Sequence, residues 1–211
     1  MLLTNEEEAR YFIAANCEGA DYKRLEDFAE RLVLENENQN LIAHSTTATV
    51  WLRHLADSAQ LLSWATPERK MPWLDLGTGA GFPGIVIAIM RPAWEVVLVE
   101  SRGLRIRWLT EVVECLSIEN VRIVGADIRN VPSFPAATIS ARAFAPLARL
   151  IALAARFSTN ETMWLLPKGR SAAQEIEMLP TPLQPMFHVK PSLTDRLAGI
   201  IIGHGRIKPV Q

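Results

Sequence analysis

Four glycines within eight residues, set between a short apolar run and a helix-compatible proline, constrain this chain more than any other feature. The stretch reads Trp73-Leu-Asp-Leu-Gly-Thr-Gly-Ala-Gly-Phe-Pro-Gly84. Its spacing predicts a strand ending at Leu76, a tight glycine-rich turn, and a helix that can start at Pro83, where a missing N–H does no harm. Glycine lets the main chain turn sharply and lets a ligand approach the backbone closely. The helix start behind the turn adds free N–H groups and a positive dipole. A turn serving geometry alone needs fewer glycines, so a ligand-binding loop is the stronger reading.

Gly79-x-Gly81-x-x-Gly84, with Glu100 about 20 residues on, matches a dinucleotide fingerprint literally. Asp75 argues against a dinucleotide. It lies two residues before Gly77 in the order Asp-x-Gly-x-Gly-x-Gly. A carboxylate at the strand end, facing the loop, repels a pyrophosphate and suits a cationic ligand. S-adenosylmethionine, with its ammonium and sulfonium, fits that charge. Glu100 is placed to end the second strand, where two carboxylate oxygens can accept both ribose hydroxyls; a solvated strand-end charge is its bland alternative. The core therefore reads as an S-adenosylmethionine-dependent methyltransferase domain, with cofactor contacts expected from Asp75, Gly77, Gly79, Gly81 and Glu100. A nicotinamide-dependent oxidoreductase is the competing enzymatic reading.

The rest of the chain supports this architecture. The chain has 211 residues, 49% of them apolar, enough for one full core. Leu25, Phe28, Ala29, Leu32 and Val33 recur at helical spacing, as do Val50, Trp51, Leu55, Ala59 and Leu62. Thr46 or Thr47 is a candidate N-cap for the second helix, and Pro67 a candidate stop. From residue 71, strand patterns (73–76, 95–100, 121–125, 137–140, 162–167, 186–190 and 199–203) alternate early on with helical ones near 83–90, 103–116 and 147–157. Such alternation implies βαβ crossovers and a mainly parallel sheet. Prolines at 180, 182, 185 and 191 predict that the last third ends in antiparallel strands and loops. The expected fold is an α/β, Rossmann-like class I methyltransferase with a doubly wound, mostly parallel sheet. Residues 1–68 are expected to form a helical cap, and 69–211 the α/β domain, in one compact unit.

Charge and targeting signals narrow the setting. Residues 1–75 carry 7 basic and 13 acidic side chains, and residues 76–211 carry 15 and 10, with 12 arginines among those 15. Arginine suits phosphate recognition, although solvated surface charge explains the numbers equally simply. Apolar runs such as Ile85 to Met90 fall far short of the ~20 residues of a membrane span. The acidic start lacks the basic and apolar pattern of a secretory signal. Cys17 and Cys115 have no metal-type neighbours, and Cys115 is expected to pack inside. A cytoplasmic location without membrane association is expected, and no metal site.

Several ordered blocks together resemble the ribosomal RNA small-subunit methyltransferase G family, also called glucose-inhibited division protein B. They are Asn40-Leu41, Trp51-Leu-Arg-His-Leu-Ala-Asp-Ser58, Asp75-Leu-Gly-Thr-Gly-Ala-Gly-Phe-Pro-Gly-Ile85, Ile139-Ser-Ala-Arg-Ala-Phe-Ala145 and Lys168-Gly169. The resemblance spans residues 25 to 170 and implies methylation of N7 of a guanine in 16S ribosomal RNA. The modest overall charge argues against strong unaided RNA binding, so the small subunit or an assembly intermediate is the expected substrate, and a monomer the expected state. The resemblance places Gly77 and Phe82 on the cofactor loop, Ile128 and Arg129 beside the adenine, and makes Arg142 a cofactor-contacting residue. Where this chain has Asp127-Ile128-Arg129 the family usually has Arg-Ala-Glu, so Asp127 becomes a further candidate adenine contact. Leu104 stands where relatives often carry lysine, and nothing specific carries over beyond Gly169.

The residues agree with that chemistry independently. N7 of guanine holds a lone pair and no proton, so its attack on a sulfonium methyl needs alignment rather than a general base. After the fourth strand there is no (Asp/Asn)-Pro-Pro-(Tyr/Phe) box for gripping an exocyclic amine, and neither cysteine lies at a strand end to act as a nucleophile. The fourth strand instead delivers Arg142, the candidate catalytic residue, to the ligand edge of the sheet. Candidate substrate contacts are Arg53, His54, Arg105 and Lys168. For Arg53 an ordinary helical ion pair with Asp57 is the plain alternative, and for His54 a structural role. Arg102, Arg105 and Arg107 read equally as phosphate contacts or solvated charges. Trp51, Trp73 and Trp108 read as core. A non-catalytic RNA-binding assembly factor with a vestigial cofactor fold is the third functional reading, motivated by the altered Asp127–Arg129 segment.

Overall fold

The computed structural model describes residues 2–65 and 71–208. Seven strands form one sheet among them: β1 (Trp73–Leu76), β2 (Val96–Glu100), β3 (Val121–Gly125), β4 (Thr138–Ser140), β5 (Met163–Lys168), β6 (Phe187–Pro191) and β7 (Gly199–His204). Their order is β3-β2-β1-β4-β5-β7-β6. The pairs among β1 to β5 are parallel, while β7 runs antiparallel to both β5 and β6. All seven strand expectations and the antiparallel end are met. β1 and β2 are buried at every position, as parallel strands covered on both faces must be.

Two helices, α1 (Glu6–Ala14) and α2 (Gly19–Gln39), precede the sheet. Asn5 caps α1 by accepting the Glu8 N–H at 2.9 Å, and Asn40, in the left-handed region at φ 32°, ends α2. The next segment is a 3₁₀ stretch (His44–Thr49), a π-helical turn (Trp51–Ala56), a short α3 (Asp57–Ala59) and a 3₁₀ turn (Gln60–Ser63). The expected N-cap is corrected here. Thr46 and Thr47 lie inside the 3₁₀ stretch, and their hydroxyls donate back to the Ala43 and His44 carbonyls at 2.8 Å. Pro67 and the boundary expected between 68 and 69 fall outside the described residues.

The crossover helices are α4 (Gly84–Met90), α5 (Gly103–Cys115) and α6 (Leu147–Ala154), and a short α7 (Ala172–Glu177) follows β5. All seven residues of α4 are buried, because the sheet covers one side and α2 and α3 the other. One apolar cluster accordingly runs from Leu3, Ile13 and Phe28 through Ile85 and Val86 to Leu98 and Trp108. Trp51, Trp73 and Trp108 are core, as expected. Cys115 is not. It is exposed at the end of α5, because Leu116 and Ile118, in the turn that follows, take the apolar positions instead.

The chain order reverses between β1 and β4, and open α/β sheets bind ligands at such a switch point, beyond the carboxyl ends of the strands. Leu76, Glu100, Gly125, Ser140 and Lys168 all end strands at that edge. The fold thus gathers the residues singled out above.

Candidate active site

Gly77, Gly79 and Gly81 adopt φ of 62°, 60° and 107°, a region closed to most other residues. A Cβ at Gly77 would overlap the Phe144 ring. The loop is held from beneath, where Trp108 donates its indole N–H to the Ala80 carbonyl at 3.0 Å. Phe28 packs against both Phe82 and Trp108, with ring centroids 5.4 and 6.4 Å away.

Asp75 does not face a ligand directly, which corrects the expectation drawn from its spacing. Its side chain is wholly buried under the loop, accepting the Gly84 N–H at 3.0 Å and the Ser140 hydroxyl at 2.8 Å. Burial raises its pKa to about 6, against the pull of those hydrogen bonds, the nearby Thr78 hydroxyl and the Arg142 charge. Asp75 therefore braces the loop from beneath, fixing the helix start at Gly84.

Glu100 is similarly enclosed, 3% exposed. Its carboxylate accepts main-chain N–H groups from Gly79 at 3.1 Å, Ser101 at 2.8 Å and Arg102 at 2.9 Å. The exposed Arg102 guanidinium lies across it at 3.3 Å. Burial pushes its pKa up, but the hydrogen bonds and charge of Arg102 and the Ser101 N–H more than reverse this, leaving it below the ordinary value. Asp127 accepts the Arg129 N–H at 2.9 Å and pairs with its guanidinium at 2.7 Å. Those hydrogen bonds hold its pKa down. Ile128 is buried beside them. Gly77, Glu100, Arg102, Asp127, Ile128, Arg129 and Phe144 line one hollow of about 350 Å³ at the strand ends.

A second cleft, about 830 Å³, adjoins it across the Ala143–Ala145 segment and is lined by Arg53, His54, Asp57, Arg142, Lys168 and Glu175 among others. Arg142 follows β4 into this cleft. One guanidinium nitrogen lies 3.3 Å from the Arg53 carbonyl and 3.4 Å from Asp57, and the other 3.0 Å from His54 Nδ1. The guanidinium also sits 4.7 Å over the Phe82 ring. Ala143 next to it adopts φ 52°, rare for alanine, and this turns Phe144 into the wall shared by both hollows.

All four of the expected substrate contacts are engaged within the protein. Arg53 pairs not with Asp57 but with Asp195 at 3.0 Å, and donates to the Thr194 carbonyl at 3.3 Å. The π turn at Trp51–Ala56 is wider than an α turn, so residues four apart no longer stack. Lys168 pairs with Glu175 and donates to the Ala145 carbonyl, each at 2.8 Å. Arg105, expected as a possible phosphate contact, donates to the Asn40 carbonyl, tying α5 to the end of α2. His54 is buried with Phe82 stacked 5.1 Å away. Burial, then the charges of Arg142 and Arg53, lower its pKa to about 3. The sequence reading missed Phe144 and Glu175, and saw Asp57 only as a partner of Arg53. The Ala-Arg-Ala-Phe motif contained the signal for Phe144, but the left-handed Ala143 that aims it has no sequence signature.

Solved structures share this arrangement. A SAM-dependent methyltransferase from Aquifex aeolicus aligns with a TM-score of 0.56 at 14% identity, covering 74% of this chain and 92% of its own. A precorrin-6y C5,15-methyltransferase from Geobacter metallireducens aligns with a TM-score of 0.53, also at 14% identity, covering 71% and 87%. At such identities these likenesses establish the fold alone. The fold is that of class I S-adenosylmethionine-dependent methyltransferases.

The sequence comparisons are closer. The family described as GidB, rRNA small subunit methyltransferase G, matches residues 21–193. A ribosomal RNA small subunit methyltransferase G from Erythrobacter litoralis is 48% identical over 98% of this chain and 100% of its own length. Another of that name, from Sphingopyxis alaskensis, is 53% identical over 89% and 80%. This chain belongs to the rRNA small subunit methyltransferase G family. It is an S-adenosylmethionine-dependent methyltransferase, and the oxidoreductase reading is set aside.

Proposed function

We propose that the chain transfers the methyl group of S-adenosylmethionine to N7 of a guanine in 16S ribosomal RNA. On this reading it works as a cytoplasmic monomer on the small subunit or an assembly intermediate. The helices before β1 form a cap that shares its core with the α/β unit rather than a separate module. Among the described residues no helix is long and apolar enough to cross a membrane.

One observation carries the choice of N7. Each acid lining the larger cleft is paired: Asp57 with Arg142, Asp195 with Arg53, and Glu175 with Lys168. His54, with a pKa of about 3 and its Nδ1 facing a guanidinium, is too weakly basic to take a proton near neutrality. Such a cleft suits an acceptor that brings its own lone pair and has no proton to lose.

The smaller hollow is where we place the cofactor. Gly77, whose missing Cβ makes room for the Phe144 ring, lines it, and Glu100 sits where a carboxylate can meet ribose hydroxyls. Gly77, Gly79 and Gly81 would let the loop approach the cofactor; Phe82, beneath Arg142, would support it. Asp127, Ile128 and Arg129 would border the adenine. The bound cofactor supplies an electrophilic methyl on a sulfonium. Arg142, cationic and shielded, would hold and orient the reactants at the junction of the two hollows, while Phe144 walls both. Arg53, His54 and Lys168 shape the cleft around the RNA, with Arg105 acting at more distance.

N7-methylguanine makes the RNA chain cleavable by aniline after reduction. The 16S RNA of a strain lacking this gene should lose one such cleavage, and the gene should restore it in a complemented strain. Unchanged cleavage in the deletion strain refutes the assignment. A chain that binds small-subunit particles but not S-adenosylhomocysteine would instead favour the assembly-factor reading.

A further inference from the structure

We infer that His54 is a positioning residue: from a neutral, singly protonated imidazole it accepts a hydrogen bond from Arg142 and aims that guanidinium at the reacting groups. This deepens the proposed function and rests on it for the role of Arg142. The chemistry of the contact settles the tautomer. A guanidinium only donates, so His54 Nδ1, 3.0 Å from it, must be the acceptor. The ring proton then resides on Nε2, which faces the Thr46 hydroxyl at 2.8 Å. That hydroxyl has a place for its own proton, because it donates to the Ala43 carbonyl at 2.8 Å. A directional chain therefore runs Arg142 to His54 to Thr46 to Ala43, each member donating to the next.

The other side of the guanidinium is held as firmly. Asp57 Oδ2 faces it at 3.4 Å, and Asp57 Oδ1 accepts from Thr194 at 2.8 Å and from Gln60 at 2.9 Å. The His54 ring and the Arg142 cation also share the Phe82 ring, at 5.1 and 4.7 Å. His54 thus has two hydrogen bonds and one stacking contact, none available to solvent. A histidine kept for proton transfer has a different environment: it needs a free lone pair aimed into the cleft and a pKa near the working pH. The low pKa of this one is consistent with a permanent acceptor. Misplacing a catalytic group by about 1 Å costs on the order of 10²-fold in rate.

The test uses single-turnover methyl transfer to small-subunit particles from a strain lacking the gene, with saturating S-adenosylmethionine. His54→Ala should slow transfer on the order of 10²-fold, with S-adenosylhomocysteine affinity little changed at a temperature where the variant is folded. His54→Asn puts an amide oxygen near the place of Nδ1 and should recover most of the rate. In an Arg142→Lys background His54→Ala should cost little more, since its effect passes through the guanidinium. The inference is overturned if His54→Asn is as slow as His54→Ala, or if the loss is undiminished in the Arg142→Lys background; either marks a packing role. Nitrogen NMR of the wild-type imidazole supplies an arm independent of activity. It should show an unprotonated Nδ1 and a protonated Nε2, with the Nδ1 signal moving in Arg142→Ala. A protonated Nδ1 refutes the contact. Should the wild-type chain methylate no small-subunit RNA, the proposed function fails and the NMR result still decides the hydrogen bond.

Discussion

Replacing Asp75 by asparagine tests whether the carboxylate under the glycine loop is held at a stability cost. An aspartate ordinarily titrates at 3.8, and in the folded chain Asp75 titrates at about 6. Below the lower value both folded and unfolded chains carry the proton. Between the two values the unfolded chain has lost it and the folded chain retains it, so stability falls as pH rises. Above about pH 6 the cost is constant. The difference between the two values corresponds to about 3 kcal/mol, at about 1.4 kcal/mol for each tenfold change in proton affinity. Asp75→Asn cannot titrate. Urea unfolding of both proteins from about pH 3 to about pH 8 should therefore show the stability of the variant, relative to wild type, climbing by about 3 kcal/mol and then levelling. The comparison cancels the other titrating groups. A relative stability independent of pH would refute the idea of a carboxylate strained by burial. Calorimetry should show weaker S-adenosylhomocysteine binding by the variant, since a stabilising change at a ligand-supporting site trades against function.

Gly77→Ala forces a left-handed alanine against the Phe144 ring; it should cost about 1–3 kcal/mol in thermal unfolding and abolish cofactor binding measured by calorimetry. Arg102→Ala removes a cation lying across Glu100. If ribose hydroxyls must displace it, S-adenosylhomocysteine should bind up to about fivefold tighter, the range of an exposed ion pair; weaker binding would make Arg102 a ligand contact. Turnover against pH should show no ascending limb near 6.5, because His54 stays neutral from about pH 5 upward. A limb there that vanishes in His54→Asn would contradict the assigned tautomer.

The fold was legible because β-type runs and helical periodicity alternate cleanly after residue 71, and fully buried parallel strands such as Val96–Glu100 leave an unbroken apolar signature. The glycine loop was legible for the same local reason. What escaped was long-range or conformational. Arg53 reaches Asp195 across 142 positions and Arg142 reaches His54 across 88, and no spacing rule encodes either. Helical spacing suggested an Arg53–Asp57 pair, but the π turn changed the register. Asp75 was recognised as important, yet its direction depended on whether the loop closes over it, a matter of packing between β1 and α4 rather than of pattern.

The hairpin between β6 and β7 sends Ser192, Thr194 and Asp195 back onto the helical segment at Arg53, Asp57 and Gln60. Ribosomes translate those contacts some 130 to 140 residues apart. A nascent chain can fold its glycine loop and first strands early, but the scaffold behind Arg142 waits for the β6–β7 turn to emerge. Competence for catalysis is in this way deferred until the turn at residues 192–195 has been made.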